Sequence, residues 1–192
     1  MSDDNQKLLR KVVRILKSNE CLAIRFKLEN ISIHTYTYMY IGSVMLEGRL
    51  IRVKVGDGNH YDNTTNPQTL ILDSADPPAR TIVHEATHAV IVATHKGMTI
   101  QKGANEAAAF LAESIYGLST GESMGPEFPG YFARAFRKLA EQVRAFYNSP
   151  DSSGRLFVCP LGDVMNLKTL IGSLPFSYGT INQSDTLQGI GD

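Results

Sequence analysis

His84-Glu85-Ala86-Thr87-His88 is an H-E-x-x-H sequence set in an otherwise apolar run at residues 81–92. On an α-helix, residues four apart stack on one face about one turn along, so both imidazoles can grip a single cation at about 2.0–2.1 Å. Glu85 projects about 100° further round the helix, outside that grip but close enough to hold a water beside the ion. Zinc with three protein ligands and one open position lowers the pKa of its bound water towards ~7, and an adjacent carboxylate can then carry the proton to a leaving amine. The chemistry this implies is water attack on a carbonyl, a peptide bond above all. The competing reading is a pair of core histidines satisfied by ordinary protein groups. Ile82, Val83, Ala86, Ala89, Val90 and Ala93 give the segment the composition of a buried helix, and a buried helix must satisfy two histidines and a glutamate in some way.

A catalytic zinc site needs a third protein ligand. Glu106 is the first choice, 18 positions after His88 at the opening of a second helix. Glu113 shares its face but sits about 10 Å further along the axis, so only one of the two can touch the ion; Glu113 is then a ligand or the partner of a ligand histidine. His95 lies about 10 Å beyond His88 on a straight helix and is not a ligand. The longer H-E-x-x-H-x-x-G-x-x-H pattern fails, because Ile91 and Thr94 stand where it needs glycine and histidine. Arg80, His95, Tyr116, Tyr131 and Tyr147 could each stabilise an oxyanion, and the sequence selects none.

These groups need a scaffold. Apolar residues at helical spacing predict an amphipathic helix over 4–17, and alternation predicts strands over 22–28, 31–41 and 49–55, the second with a stripe of Tyr36, Tyr38 and Tyr40. A hairpin over 61–73 has a second arm, 69–72, that runs almost directly into the H-E-x-x-H helix, expected at 78–95 with Asp76 as cap. If that arm is a sheet edge it could pair with an extended substrate backbone; an ordinary edge strand is the equal alternative. The second helix is expected from about residue 105. Its Ala107, Ala108, Ala109 and Ala112, set against Ala86, Ala89 and Ala93, allow the two axes to approach closely and bring a carboxylate to a metal held by the first. A Gly- and Pro-rich loop over 118–130, helices over 132–147 and 163–171, and a polar, flexible tail over 177–192 complete the expectation. The whole reads as a single α+β domain over 1–176, a small, mostly antiparallel sheet packed on the active-site helix and followed by a helical half.

The strand, the His84-Glu85-Ala-Thr-His88 helix and the Asn105-Glu106-Ala107 opening together resemble the zincin metallopeptidases, in the gluzincin branch whose third ligand is a glutamate. The resemblance covers roughly residues 61–117. It implies a zincin-like fold, with Zn2+ on His84, His88 and Glu106, Glu85 as general base, and a peptide or protein as substrate. Phe110 departs from the pattern, standing one turn after Glu106 where thermolysin-like relatives carry an aspartate that supports a ligand histidine. The alternative function is a zincin-fold binding or effector protein that keeps the metal site without hydrolysis.

The rest of the sequence narrows the field. With 19 basic and 19 acidic residues the formal charge is zero, and no basic cluster interleaved with aromatics suggests a nucleic acid partner. The first residues lack a basic start and an apolar core, and no apolar run approaches a membrane span, so the expectation is cytoplasmic synthesis without a membrane; export by a signal-independent route stays open. Two cysteines, Cys21 and Cys159, do not make a disulfide framework. Gly121-Glu-Ser123-Met-Gly125 matches the serine-hydrolase G-x-S-x-G, but every histidine precedes Ser123 and the flanks read as loop. Cys21 upstream of H-E-x-x-H is only superficially like a deformylase site.

Overall fold

In a computed structural model, residues 2–125, 128–174 and 184–186 are described. Ser2 opens the first helix, α1 (Asp3–Leu16), its hydroxyl accepting the Asn5 N–H at 3.3 Å, and the periodic Leu8, Val12, Ile15 and Leu16 are buried. Ser18 repeats the device for a short helix, α2 (Asn19–Leu22), so the predicted strand from residue 22 begins only at β1 (Phe26–Leu28), which pairs antiparallel with β2 (Ile31–Ile33).

The predicted strand over 31–41 stops at Ile33, and the tyrosines enter a helix, α3 (Thr37–Glu47). Tyr38, Ile41, Val44 and Met45 recur three or four apart and are buried, whereas Tyr36 and Tyr40 are exposed. Burial of that helical stripe overrides the β-forming composition. Gly42 sits where α3 crosses α1; a Cβ there would meet Leu16 Cβ at 3.3 Å, which glycine avoids. The helix ends at Gly48, whose φ of 68° is a left-handed stop.

Three strands, β3 (Ile51–Val55), β4 (His60–Asp62) and β5 (Gln68–Leu72), form a sheet in the order β3-β5-β4. The arm that leads into the H-E-x-x-H segment is therefore central, parallel to β3 and antiparallel to β4, and all five of its residues are buried. This corrects the edge-strand expectation: the edges are β3 and β4, and β4 also packs against the next helix. The sheet is mixed, while the β1–β2 pair is antiparallel.

That next helix is α4 (Ala79–Thr94), and Pro78 is its cap residue. Asp76 does not cap it; it pairs with Lys11 of α1, whose ammonium also donates to the Pro77 carbonyl at 2.6 Å, tying the approach to α4 onto α1. After β6 (Thr99–Gln101) comes α5 (Lys102–Thr120), which starts three residues earlier than expected and continues into the predicted loop as far as a left-handed Gly121. The third and fourth long segments are α6 (Gly130–Tyr147) and α7 (Leu161–Gly172). Part of the predicted tail is a strand, β7 (Ser184–Thr186), antiparallel to β6; the rest of 177–192 lies outside the described residues.

The architecture is mixed α+β. Residues from α1 through α7 contribute to one continuous buried cluster. Within it α4 lies along α5 more extensively than any other two elements meet, and Ala86, Ala89, Ala104, Ala107 and Ala108 are fully buried there. Small side chains let the two backbones approach, as the alanine spacing predicts. Among the described residues no helix is long and apolar enough to cross a membrane.

Candidate metal centre

The two helices are matched turn for turn. Arg80, His84 and His88 stand at intervals of four along one face of α4, and Asn105, Glu106 and Glu113 face them from α5 in the opposite order. Eight residues separate Arg80 from His88 and eight separate Asn105 from Glu113, so each row is about 12 Å long. Equal lengths let every pair meet without bending either helix.

One ligand-type atom from each of His84, His88 and Glu106 lies within 4.8 Å of the others. The Glu106 carboxylate stands 3.6 Å from His84 Nε2 and 3.8 Å from His88 Nε2. Those separations are too long for hydrogen bonds and suit three groups around one ion. His84, Glu85 and Glu106 are each less than a tenth exposed. Glu106 Oε2 is buried without a hydrogen-bond partner among the described residues. Burying a carboxylate oxygen unsatisfied is costly, and a cation removes that cost.

The far nitrogens are held. His84 Nδ1 donates to Glu113 Oε2 at 3.2 Å, and the other Glu113 oxygen accepts from Arg80 Nη1 at 2.8 Å. His88 Nδ1 donates to Asn105 Oδ1 at 3.0 Å. With a proton on each Nδ1, it is the Nε2 of each ring that faces Glu106, the nitrogen a cation takes when it displaces any proton there. Phe110 fills the turn between Glu106 and Glu113, its ring centroid 4.4 Å from that of His84, so packing and the Glu113–Arg80 pair together orient the His84 ring.

The charges agree with this geometry. Burial opposes a charged His84, but Glu106 and Glu113 outweigh it and hold its pKa well above the usual value. Burial pushes Glu106 up, and the two histidines more than reverse that, leaving it low. Three carboxylates and one guanidinium surround the two imidazoles, so the centre favours a positive charge. Glu85 differs: burial raises its pKa, with His84, His88 and the nearby His60 acting against the rise. Together with His84, Arg80, Asn59 and Phe128 it lines a cavity of about 220 Å3. Thr87 is held from behind, accepting the Tyr38 hydroxyl at 2.7 Å and donating to the Val83 carbonyl at 2.7 Å.

Each residue singled out in the sequence can now be placed. His84, His88 and Glu106 come together, Glu85 lies beside them, and Glu113 takes up its place behind His84 and outside the trio. Of the oxyanion candidates only Arg80 reaches the cavity. His95 is locked in the core, Tyr147 accepts the Phe157 N–H at 2.9 Å under the Arg25 guanidinium, Tyr131 is exposed, and Tyr116 is packed away with its pKa raised to about 12 by burial. Ser123 is exposed in the loop after α5, and Cys21 is buried on α2 with its thiol pushed up to about 12. Sequence reasoning missed the roles of Asn105 and Arg80. A signal existed for both: Arg80 is one turn before His84, and Asn105 adjoins Glu106. Comparison of the chain with protein-family models, with curated proteins and with solved structures gives no match, so the chemistry has to be argued from this geometry.

Proposed function

We propose that His84, His88 and Glu106 hold a zinc ion and that Glu85 is the general base in zinc-dependent hydrolysis of a peptide bond, the chemistry of the gluzincin-type metallopeptidases that the H-E-x-x-H stretch resembles. The observation that carries this reading is the convergence of two imidazole Nε2 atoms on a carboxylate with an orphaned oxygen, each histidine being oriented from behind by a different α5 side chain. Two imidazoles and one carboxylate form a donor set suited to zinc, with a coordination position left over. Bound there, zinc would supply Lewis acidity towards a water and a substrate carbonyl.

The chain's own residues do the rest. Burial raises the pKa of Glu85 above the usual carboxylate value, the direction that suits a group which accepts a proton and then gives it back. It takes the proton of the attacking water and delivers it to the departing nitrogen. Arg80 presents a guanidinium on the cavity wall, where carbonyl charge develops. On β4, the outer edge can seat an extended backbone beside α4.

Purified protein dialysed against zinc should retain about one ion per chain and lose it in His84→Ala. Glu85→Gln should keep the ion and lower cleavage of a broad peptide library by about 100-fold or more. Protein that binds no zinc under these conditions sinks the whole reading. Zinc retention with no cleavage by the wild type moves the assignment to a metal-holding binding or effector protein.

A further inference from the structure

Beyond the Arg80–Glu113 pair, the cavity above Glu85 adjoins a second one of about 360 Å3, and those two residues line both. The second cavity lies between the C-terminal half of α5, the loop after it and the first turns of α6. Its polar lining is unusual. Ser114 is 8% exposed, and its hydroxyl is buried without a hydrogen-bond partner among the described residues. Arg134 makes no ion pair among the described residues, whereas Arg80 is held by Glu113 at 2.8 Å and Arg137 by Glu141 at 3.0 Å. Among the described residues the acidic lining is Glu113, already engaged by Arg80 and His84, and the exposed Glu122.

Arg134 is also oddly placed for its own helix. It sits near the N-terminus of α6, where the helix dipole disfavours a cation, and the first turn contains no acidic residue. Its guanidinium folds back over that turn, with Nη1 3.4 Å from where a Cβ on Gly130 would stand. A positive side chain folded over the positive end of a helix, lining one cavity with a residue whose buried hydroxyl is unsatisfied, is an arrangement that an anion completes.

We propose that this cavity is a specificity pocket for a carboxylate of the substrate, read by Arg134 and Ser114. The proposal rests on the peptidase reading and adds to it the class of substrate: peptides with an acidic side chain, or a free C-terminus, near the cleaved bond. Reach supports it. Arg80 lies five residues, about 7.5 Å along the axis, from Glu85, a span that about two residues of extended peptide cover at 3.3–3.6 Å each. A carboxylate at least two residues from the cleaved bond therefore reaches past Arg80 towards the second cavity while the bond lies beside Glu85.

The test uses zinc-loaded, full-length Glu85→Gln protein and measures binding. Short N-acetylated peptide pools, randomised over neutral residues, carry Glu or Gln at one position in turn, each with a C-terminal acid or amide. Charged pools should bind about ten-fold more tightly than their neutral counterparts. That preference should vanish in Arg134→Gln, fall part-way in Arg134→Lys, which keeps the charge but loses the fork, and persist in Lys54→Gln on β3. A preference for Glu over Gln assigns the pocket to a side chain, and a preference for acid over amide assigns it to the chain terminus. Equal binding of charged and neutral pools, or a preference lost equally in Lys54→Gln, overturns the proposal. Failure of the peptidase reading gives a different result: wild-type protein leaves every pool uncut while the carboxylate preference survives.

Discussion

Helix α4 carries two histidines in its middle and is capped by a third, His95, and the two places use the ring in opposite ways. At the C-terminal end, His95 Nε2 accepts the Ser32 N–H at 3.0 Å, and its Nδ1 proton is shared between Thr94 Oγ1 at 2.7 Å and the Ile91 carbonyl at 3.2 Å. Both ring nitrogens are satisfied by the protein, and the ring pins β2 to the end of α4. In the middle of the helix, His84 and His88 have one nitrogen satisfied and the other turned to Glu106. Residue type and helical face are shared by all three. What separates a ligand-type histidine from a structural one is what faces its second nitrogen: for His95 a backbone donor, for the other two a carboxylate.

The sharpest way to break this contrast is to remove the carboxylate. Glu106→Ala should weaken zinc binding by more than about 100-fold, beyond the effect of losing a supporting residue, and should also cost the metal-free protein stability, because the two histidines hold this carboxylate ionised and its loss leaves His84 Nε2 without a partner. Calorimetric zinc titration and thermal unfolding measure the two halves. An unchanged affinity would mean that the three side chains are neighbours and not a site. Next in size are the supporting contacts. Asn105→Ala and Glu113→Gln should each lower zinc affinity by about 10–100-fold, since each frees an imidazole to turn. Glu113→Gln also weakens the partner of a mostly buried Arg80, so it should cost stability where Asn105→Ala costs little.

A smaller effect is expected behind the helix. Tyr38→Phe removes one buried hydrogen bond to Thr87 but leaves Thr87 bonded to Val83, so stability should fall by about 1 kcal/mol with zinc affinity unchanged. A drop in affinity would show that the back of α4 helps to set the centre and that the contrast lies along the whole helix.

How much of this was legible in the sequence follows from how local each cause is. The mixed α+β class, α1, α4, α6 and the meeting of Glu106 with His84 and His88 follow from short-range spacing and from alanines on two facing helices. The supporting role of Glu113 was open beside a ligand role, and its position two turns past Glu106 puts it behind His84. By contrast, α3 was hidden because Thr35 to Tyr40 has strand composition and only Tyr38, Ile41 and Met45 betray the helical stripe. The central place of β5 was hidden too: its neighbour β3 joins it in parallel from across the β4 excursion, and a hairpin signal names only the antiparallel partner. Arg80 and Asn105 escaped notice because a supporting residue is defined by the group it meets on another helix and has no spacing rule of its own.

The last test concerns His95 and has the smallest expected effect. Burial lowers its pKa below the usual 6.5, with the Ile91 carbonyl acting against that shift and His34 adding to it. The geometry gives the same sign: a proton on Nε2 would face the Ser32 N–H, donor against donor. The unfolded chain, with an unperturbed imidazole near 6.5, takes up the proton more readily than the folded one. The stability His95 contributes is therefore complete above about pH 6.5 and is lost as pH falls towards the lower, folded value. Gln at this position keeps an acceptor for Ser32 and has nothing to titrate. Denaturant unfolding of wild type and His95→Gln at matched zinc should give curves whose difference is constant above about pH 6.5 and changes below it, the wild type losing more. Because the carboxylates and the metal centre are common to both proteins, the difference isolates one ring. If the curves stay parallel into acid, His95 is held no more firmly neutral than an exposed histidine, and the division of α4 into a structural end and a middle whose histidines face Glu106 loses its electrostatic half.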